Sequence, residues 1–231
     1  MPKEDIDIVP IGISELDKAM MGGFERESIN LIEGGAGSGK TILALQFILN
    51  GIDKYNEPGI FVTFEETKKK IYKHMLKLGW DLEKYEKTGK FLFLEHTPEH
   101  VKELLNQGGG AIEDAVEKIK AKRVVIDSIT AFALLSKDEL SERESCLALF
   151  NLINKWGCTA LLTSEHEPGD SEKRVSAPLE FEVDSIILLY NLPKKNKRER
   201  TLEILKMRGA KHSNKIFPID IRKGIEITGK R

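Results

Sequence analysis

Eight consecutive residues, Gly34-Gly35-Ala36-Gly37-Ser38-Gly39-Lys40-Thr41, match the pattern G-x-x-x-x-G-K-[ST] without a mismatch. Glycines at these spacings admit positive φ values, so successive backbone N–H groups can turn inward and surround a phosphate. Lys40 can reach the β- and γ-phosphates of a nucleoside triphosphate, and the Thr41 hydroxyl is suited to Mg²⁺. A helix opening at Lys40, with Ile42 in its first turn, would aim its positive dipole end at the same charges. Residues Gly34 to Ile42 are therefore the candidate nucleotide contacts. Magnesium chemistry on a phosphate needs a second acid, and Val124-Val125-Ile126-Asp127 offers one at the end of an apolar run. Ser128 comes next, so a base directly after that acid is ruled out and must come from elsewhere. Glu65 and Glu66 follow the apolar run Gly59 to Phe64: one can polarise an attacking water while the other assists or contacts the Mg²⁺ water shell. The same pair also suits the acidic first turn of a helix. Thr163-Ser164 closes another apolar run, and this pair, Ser164 foremost, would either sense a γ-phosphate or cap its strand.

These residues need a scaffold that brings separate chain segments together. Ser28 to Glu33 reads as a strand entering the glycine-rich loop, and Ile42, Leu43, Leu45, Phe47, Ile48 and Leu49 suit a strongly buried helix leaving it. Apolar strand-like runs recur at Gly59 to Phe64, Phe91 to Leu94, Arg123 to Asp127 and Thr159 to Thr163. Helical patterns lie between them, including a Lys-rich one through Leu78 and a long one from Glu139 to Trp156. This alternation predicts an α/β fold with a mostly parallel sheet and helices on both faces. In such a sheet ligands bind outside the carboxyl ends of the strands, which is where all the candidate groups stand. The last quarter changes character: Asp184 to Tyr190, Thr201 to Lys206 and Lys215 to Ile219 read as consecutive strands, an antiparallel extension of the sheet.

The composition sets limits. The chain has 231 residues, a net charge of −1 and only two cysteines, Cys146 and Cys158, without metal-like spacing. Near-neutral charge gives no bulk electrostatic case for an obligatory nucleic-acid partner. No apolar stretch approaches the ~18 residues of a membrane span, and the opening residues lack the apolar core of a signal peptide. One domain over residues 1–231, in a reducing cytoplasm and without a membrane partner, is the expectation.

The order of glycine-rich loop, Glu-Glu after the next strand and Asp-Ser after a later one resembles the RecA-like ATPases. Further segments resemble the KaiC branch: Pro10-Ile11-Gly12-Ile13-Ser14-Glu15-Leu16-Asp17 with Gly22-Gly23-Phe24 near the start, and Thr201-Leu202-Glu203-Ile204-Leu205-Lys206-Met207-Arg208-Gly209 with His212 near the end. The resemblance runs from Val9 to Ile227. It implies a RecA-like core that binds ATP and Mg²⁺ between subunits of a homo-hexameric ring and hydrolyses ATP slowly, as a regulatory or scaffold ATPase working on a protein partner. It also implies that Lys206 and Arg208 reach the γ-phosphate in the neighbouring subunit, with His212 a further nucleotide contact. Alternation agrees, since residues two apart on a strand share a face. Plain strand-edge charge that discourages aggregation would look the same.

The clock protein KaiC carries two such domains, and one of them phosphorylates itself on adjacent Ser and Thr. The corresponding positions here are Glu180 and Phe181, which have no hydroxyl, so the resemblance implies an ATP hydrolase without autokinase activity at that site. The alternative is a DNA-binding recombination or repair ATPase of the RadA and RecA kind. Against it, the segment Glu165 to Arg174 is mixed to acidic and lacks an aromatic to stack a base. The feature in its favour is the cluster Lys194, Lys195, Lys197, Arg198 and Arg200 at an expected hairpin tip, which a ring would repeat as a basic rim. A solvated turn explains the cluster equally well.

Overall fold

The computed structural model describes residues 7–97, 110–130, 139–165 and 177–229. A small antiparallel pair, β1 (Ile8–Val9) and β2 (Phe24–Glu25), flanks α1 (Ser14–Ala19). The main sheet has nine strands: β3 (Ile29–Gly34), β4 (Gly59–Thr63), β5 (Phe91–Glu95), β6 (Arg123–Asp127), β7 (Thr159–Glu165), β8 (Ser185–Lys194), β9 (Lys197–Met207), β10 (Phe217–Ile221) and β11 (Ile225–Ile227). Its order is β11-β10-β9-β8-β3-β7-β6-β4-β5. The strands from β8 through β5 are parallel, and β9, β10 and β11 extend the sheet antiparallel, as the sequence predicts.

The helices are α2 (Lys40–Tyr55), α3 (Lys68–Lys77), α4 (Leu82–Lys87), α5 (Gly110–Ile119), α6 (Glu139–Trp156) and α7 (Ala177–Glu182). Strand periodicity sorts the core into two layers. Ile32, Phe61, Val125, Leu161 and Ile187 face one way and pack with α2 and α3. Their neighbours Leu31, Ile60, Val62, Val124, Ile126 and Leu162 face the other way, against α5 and α6. Near-continuous apolar strands are what a sheet covered on both faces requires. One buried charge ties the start of the chain to this core. Arg123 is 0% exposed, pairs with Glu57 at 2.6 Å, and donates to the carbonyls of Pro10 and Phe47.

The β8–β9 hairpin closes through a two-residue turn at Lys195 and Asn196. Near its open end the register slips. Ile186 pairs with Lys206 but Ile187 pairs with Ile204, leaving Leu205 as the extra residue of a bulge. The elements the sequence reading lacked are short ones: β1, β2, β11 and the six-residue helices α1, α4 and α7. A six-residue helix or a three-residue strand carries too little periodicity to stand out from its surroundings.

Candidate nucleotide-binding site

Strands β3, β7, β6 and β4 are neighbours in the sheet, so their carboxyl ends form one edge. Gly34 pairs with Glu165 and Thr63 with Asp127, which aligns the candidate groups in register. The loop after Gly34 turns through Gly37 at φ +70° and Gly39 at φ +111°. Gly34 itself has no room for a side chain: a Cβ there would lie 2.5 Å from the Leu189 carbonyl oxygen. Helix α2 begins with Gly39 as N-cap and without a side-chain cap or an acidic first turn. Its leading N–H groups are thereby left to an anionic ligand.

Lys40 folds back over the loop. Its Nζ donates to the carbonyls of Gly34 at 2.8 Å and Gly35 at 3.4 Å, with the Glu165 carboxylate 3.9 Å away. Thr41 donates from Oγ1 to Asp127 Oδ2 at 2.9 Å, and the Thr163 hydroxyl donates to the other Asp127 oxygen. Burial pushes the Asp127 carboxyl above its ordinary value, opposed by those two hydrogen bonds and by Lys40. The Thr163 contact was not foreseen; Ser164, the residue singled out, lies one step further along β7, buried and paired with Glu33.

The two glutamates divide. Glu65 accepts a hydrogen bond from the Ser128 hydroxyl, while Glu66 pairs with Lys70 at 3.2 Å, one helical turn on. Thr63 Oγ1 accepts from both of their backbone N–H groups, at 3.4 and 3.3 Å, and so fixes where the chain leaves β4. Burial raises the Glu65 pKa; the Ser128 bond lowers it, and the nearby charges of Glu165 and Asp127 raise it further. The pair stands before α3 rather than within its first turn, since Thr67 is the N-cap. An open cleft of 590 Å³ is bounded by Gly37, Lys40 and Thr41 on one side and by His74 and Lys77 of α3 on the other. The sequence reading missed His74 and Lys77, because nothing in a Lys-rich helix marks which face turns to the loop.

Lys206 and Arg208 stand elsewhere. Met207 pairs with Ser185, and Ser185 pairs with Asn30 near the start of β3. Gly34 is four residues further along β3, about 13 Å at ~3.3 Å per residue, and the phosphate loop lies beyond it. Lys206 Nζ donates to the carbonyls of Glu180, Phe181 and Val183 at 2.8, 3.4 and 2.7 Å. Arg208 donates to the Phe181 carbonyl at 2.7 Å and lies 3.6 Å from Asp184. Burial, followed by the charge of Arg208, lowers the Lys206 pKa. His212 is at this same end, with Nδ1 3.3 Å from the Ser213 carbonyl, while the Ser213 N–H donates to the Ala19 carbonyl. The structure thus brings Lys40, Thr41, Asp127, Glu65 and Glu66 together and keeps Lys206, Arg208 and His212 apart from them.

A family model described as "ATPase: KaiC" matches residues 9–231. The chain belongs to the KaiC family of ATPases. It is 36% identical over 233 residues to the circadian clock protein KaiC3 of Synechocystis, covering 97% of this chain and 46% of that protein. It is 34% identical to the circadian clock oscillator protein KaiC of Thermosynechococcus vestitus, over 96% of this chain and 44% of the relative. This KaiC-family chain therefore spans a little under half the length of these curated relatives. The solved structure of the KaiC-like protein PH0186 from the hyperthermophilic archaeon Pyrococcus horikoshii superposes with a TM-score of 0.86 at 36% identity, covering 97% of this chain and all of that one. The RecA-type α/β core with its antiparallel extension is thus the family's fold. Among the described residues no helix is long and apolar enough to cross a membrane.

Proposed function

We propose that this KaiC-family chain binds ATP with Mg²⁺, hydrolyses it slowly, and holds the nucleotide between subunits of a homo-hexameric ring that works as a regulatory or scaffold ATPase on a protein partner. The observation that carries the reading is the division of the candidate machinery between opposite edges of one sheet. The carboxyl edge holds phosphate loop, acid and base, while Lys206 and Arg208 sit at the far edge, out of reach of their own loop. In this reading the phosphate they meet is therefore a neighbour's. Exposed apolar side chains accompany them: Phe181, whose carbonyl accepts from Arg208, is 77% exposed, and Met21, which lines one pocket with Arg208, is 68% exposed. Apolar surface of that kind suits burial in a head-to-tail interface, and such interfaces close into rings or run on as filaments.

In this reading Lys40 and the loop N–H groups hold the β- and γ-phosphates. Glu65 polarises the attacking water, and Glu66 assists. Arg208 and Lys206 of one subunit stabilise charge on the phosphoryl group in the next. The residues present fit a magnesium ion: Thr41 and Asp127 place a hydroxyl and a carboxylate 2.9 Å apart beside the loop. Among the described residues no cluster of three acidic, His or Cys side chains could hold a metal alone. In this reading the ion would be held by Thr41 and Asp127 together with waters and the substrate's own phosphates. When bound, Mg²⁺ would neutralise charge on the β- and γ-phosphate oxygens.

The DNA-binding alternative draws less support. Lys194 and Lys197 pair with Glu199, Arg198 donates to the Asn191 carbonyl, and Arg200 donates to the Gly37 carbonyl, so most of the basic cluster is engaged within the chain. The remainder of the Glu165 to Arg174 segment, from residue 166 on, lies outside the described residues. The mass of the purified protein with ATP–Mg²⁺, with ADP and without nucleotide tests the reading. A discrete hexamer promoted by ATP supports it. A monomer under all conditions overturns the shared site, and open-ended filaments with single-stranded DNA favour the recombinase class.

A further inference from the structure

The end of β9 nearest the phosphate loop makes contacts that the loop motif does not call for. Arg200 donates from Nε to the carbonyl oxygen of Gly37 at 3.0 Å. Asn191, its antiparallel partner on β8, holds Nδ2 3.4 Å from the carbonyl oxygen of Ala36. Arg198 fixes Asn191 in turn, donating to its carbonyl at 2.6 Å. The hairpin is packed so closely that a Cβ on Gly37 would meet Asn191 Nδ2 at 3.3 Å. On the next strands Ile221 and Ile225 would stand 3.1 and 3.2 Å from a Cβ on Gly39. The antiparallel extension therefore walls the loop from a side that takes no part in lining the nucleotide cleft among the described residues.

A planar trans peptide points its C=O and the following N–H in opposite directions. Holding the Gly37 carbonyl outward on Arg200 therefore turns the Ser38 N–H inward, and holding the Ala36 carbonyl toward Asn191 does the same for the Gly37 N–H. The Ser38 N–H meets the Gly35 carbonyl across the loop at 3.3 Å, which agrees with that direction. Gly37 at φ +70° and Gly39 at φ +111° leave this stretch otherwise free to rotate.

We propose that Arg200, supported by Asn191, is a positioning residue of the nucleotide site, holding the peptides on either side of Gly37 with their N–H groups facing the phosphates. This rests on the loop being the nucleotide site, and it assigns the antiparallel extension a part in binding within its own subunit. The effect falls on ADP as much as on ATP, because both place phosphate in the loop.

The competing account is simple attraction between the Arg200 charge and the phosphates. Substituting Gln separates the two. The hydrogen bond leaves from Arg Nε, and Gln carries an amide nitrogen at the same point of its side chain but no charge. Mg–ADP affinity is measured by calorimetry for the full chain, Arg200→Ala, Arg200→Gln and Lys40→Ala, with circular dichroism confirming the fold of each. Arg200→Ala should weaken binding about tenfold, the scale of one lost hydrogen bond. Arg200→Gln should stay within about threefold of the parent. Parent-like affinity in Arg200→Ala overturns the proposal, as does a loss in Arg200→Gln equal to that in Arg200→Ala. Undiminished binding in Lys40→Ala would instead mean that the loop is not the nucleotide site, a separate failure of the reading above.

Discussion

The two edges of the parallel sheet handle their charged groups in opposite ways. At the carboxyl edge Asp127 and Glu65 are held in surroundings that raise their pKa values, beside a helix end without a side-chain cap. At the amino edge Lys206 has three backbone carbonyls of the α7 region around its ammonium, and Arg208 shares one of them. The first arrangement is strained toward a ligand, because buried carboxylates gain from a cation and a helix start gains from an anion. The second is already satisfied within the chain, so its cations change partners only when something stronger, such as a phosphate, comes near. In the proposed reading, ligand binding belongs to one edge and response to a neighbour's ligand to the other.

The sharpest way to break this comparison is at Lys40. Lys40→Ala should weaken ATP binding by roughly two orders of magnitude, the scale for removing one partner of a desolvated charge pair. Calorimetry checks it. Next in size, Glu65→Gln should retain ATP while turnover falls ~10²–10⁴-fold, whereas Glu66→Gln should cost less, because Glu66 is tied to Lys70. Equal losses in the two single variants would remove the division between them. The same residue predicts a pH dependence. A base must be ionised to act, and burial raises the Glu65 pKa in the free protein, so the acid limb of the kcat/KM profile should lie above the ordinary glutamate value of 4.5. Turnover is then present at higher pH and lost as pH falls through that limb; a limb at or below 4.5 would contradict the assignment.

Arg208→Ala should lower turnover ~10²–10³-fold without weakening the subunit's own hold on nucleotide. Mixing it with Lys40→Ala sharpens the point. Each inactive variant lacks what the other carries, so mixed assemblies should regain activity, and a mixture as inactive as its components would place Arg208 outside a shared site. The smallest effect is expected at the exposed aromatic. Phe181→Ser should weaken assembly by about 1–2 kcal/mol, seen as a shift of the oligomer midpoint, with nucleotide binding by the separated subunit unchanged.

Much of the carboxyl edge was legible in the sequence because its chemistry is local. Gly34 to Thr41 must be contiguous to make a loop, and Asp127 and Glu65 are flagged by the apolar strands that deliver them. Of the antiparallel extension β9 and β10 were legible, but its pressure on the loop was not. Arg200 reads as one more cation in a basic run, and only strand pairing shows that it lies against Gly37. Thr163 was masked in the same way by Ser164, since which of two adjacent hydroxyls faces Asp127 depends on the pleat of β7. Glu165 read as the start of a loop, yet β7 runs through it and sets it near Lys40.

Residue types and spacings alone thus determined the phosphate loop, the acids at strand ends, the α/β class and the family resemblance, because each is written in contiguous residues and short periods. Only the tertiary structure decided that Lys206 and Arg208 face away from their own loop, that Glu65 and Glu66 have different partners, and that the β8–β9 hairpin braces the site. Those outcomes depend on strand order, register and one bulge, which bring together residues far apart in the chain and leave no local trace in the sequence.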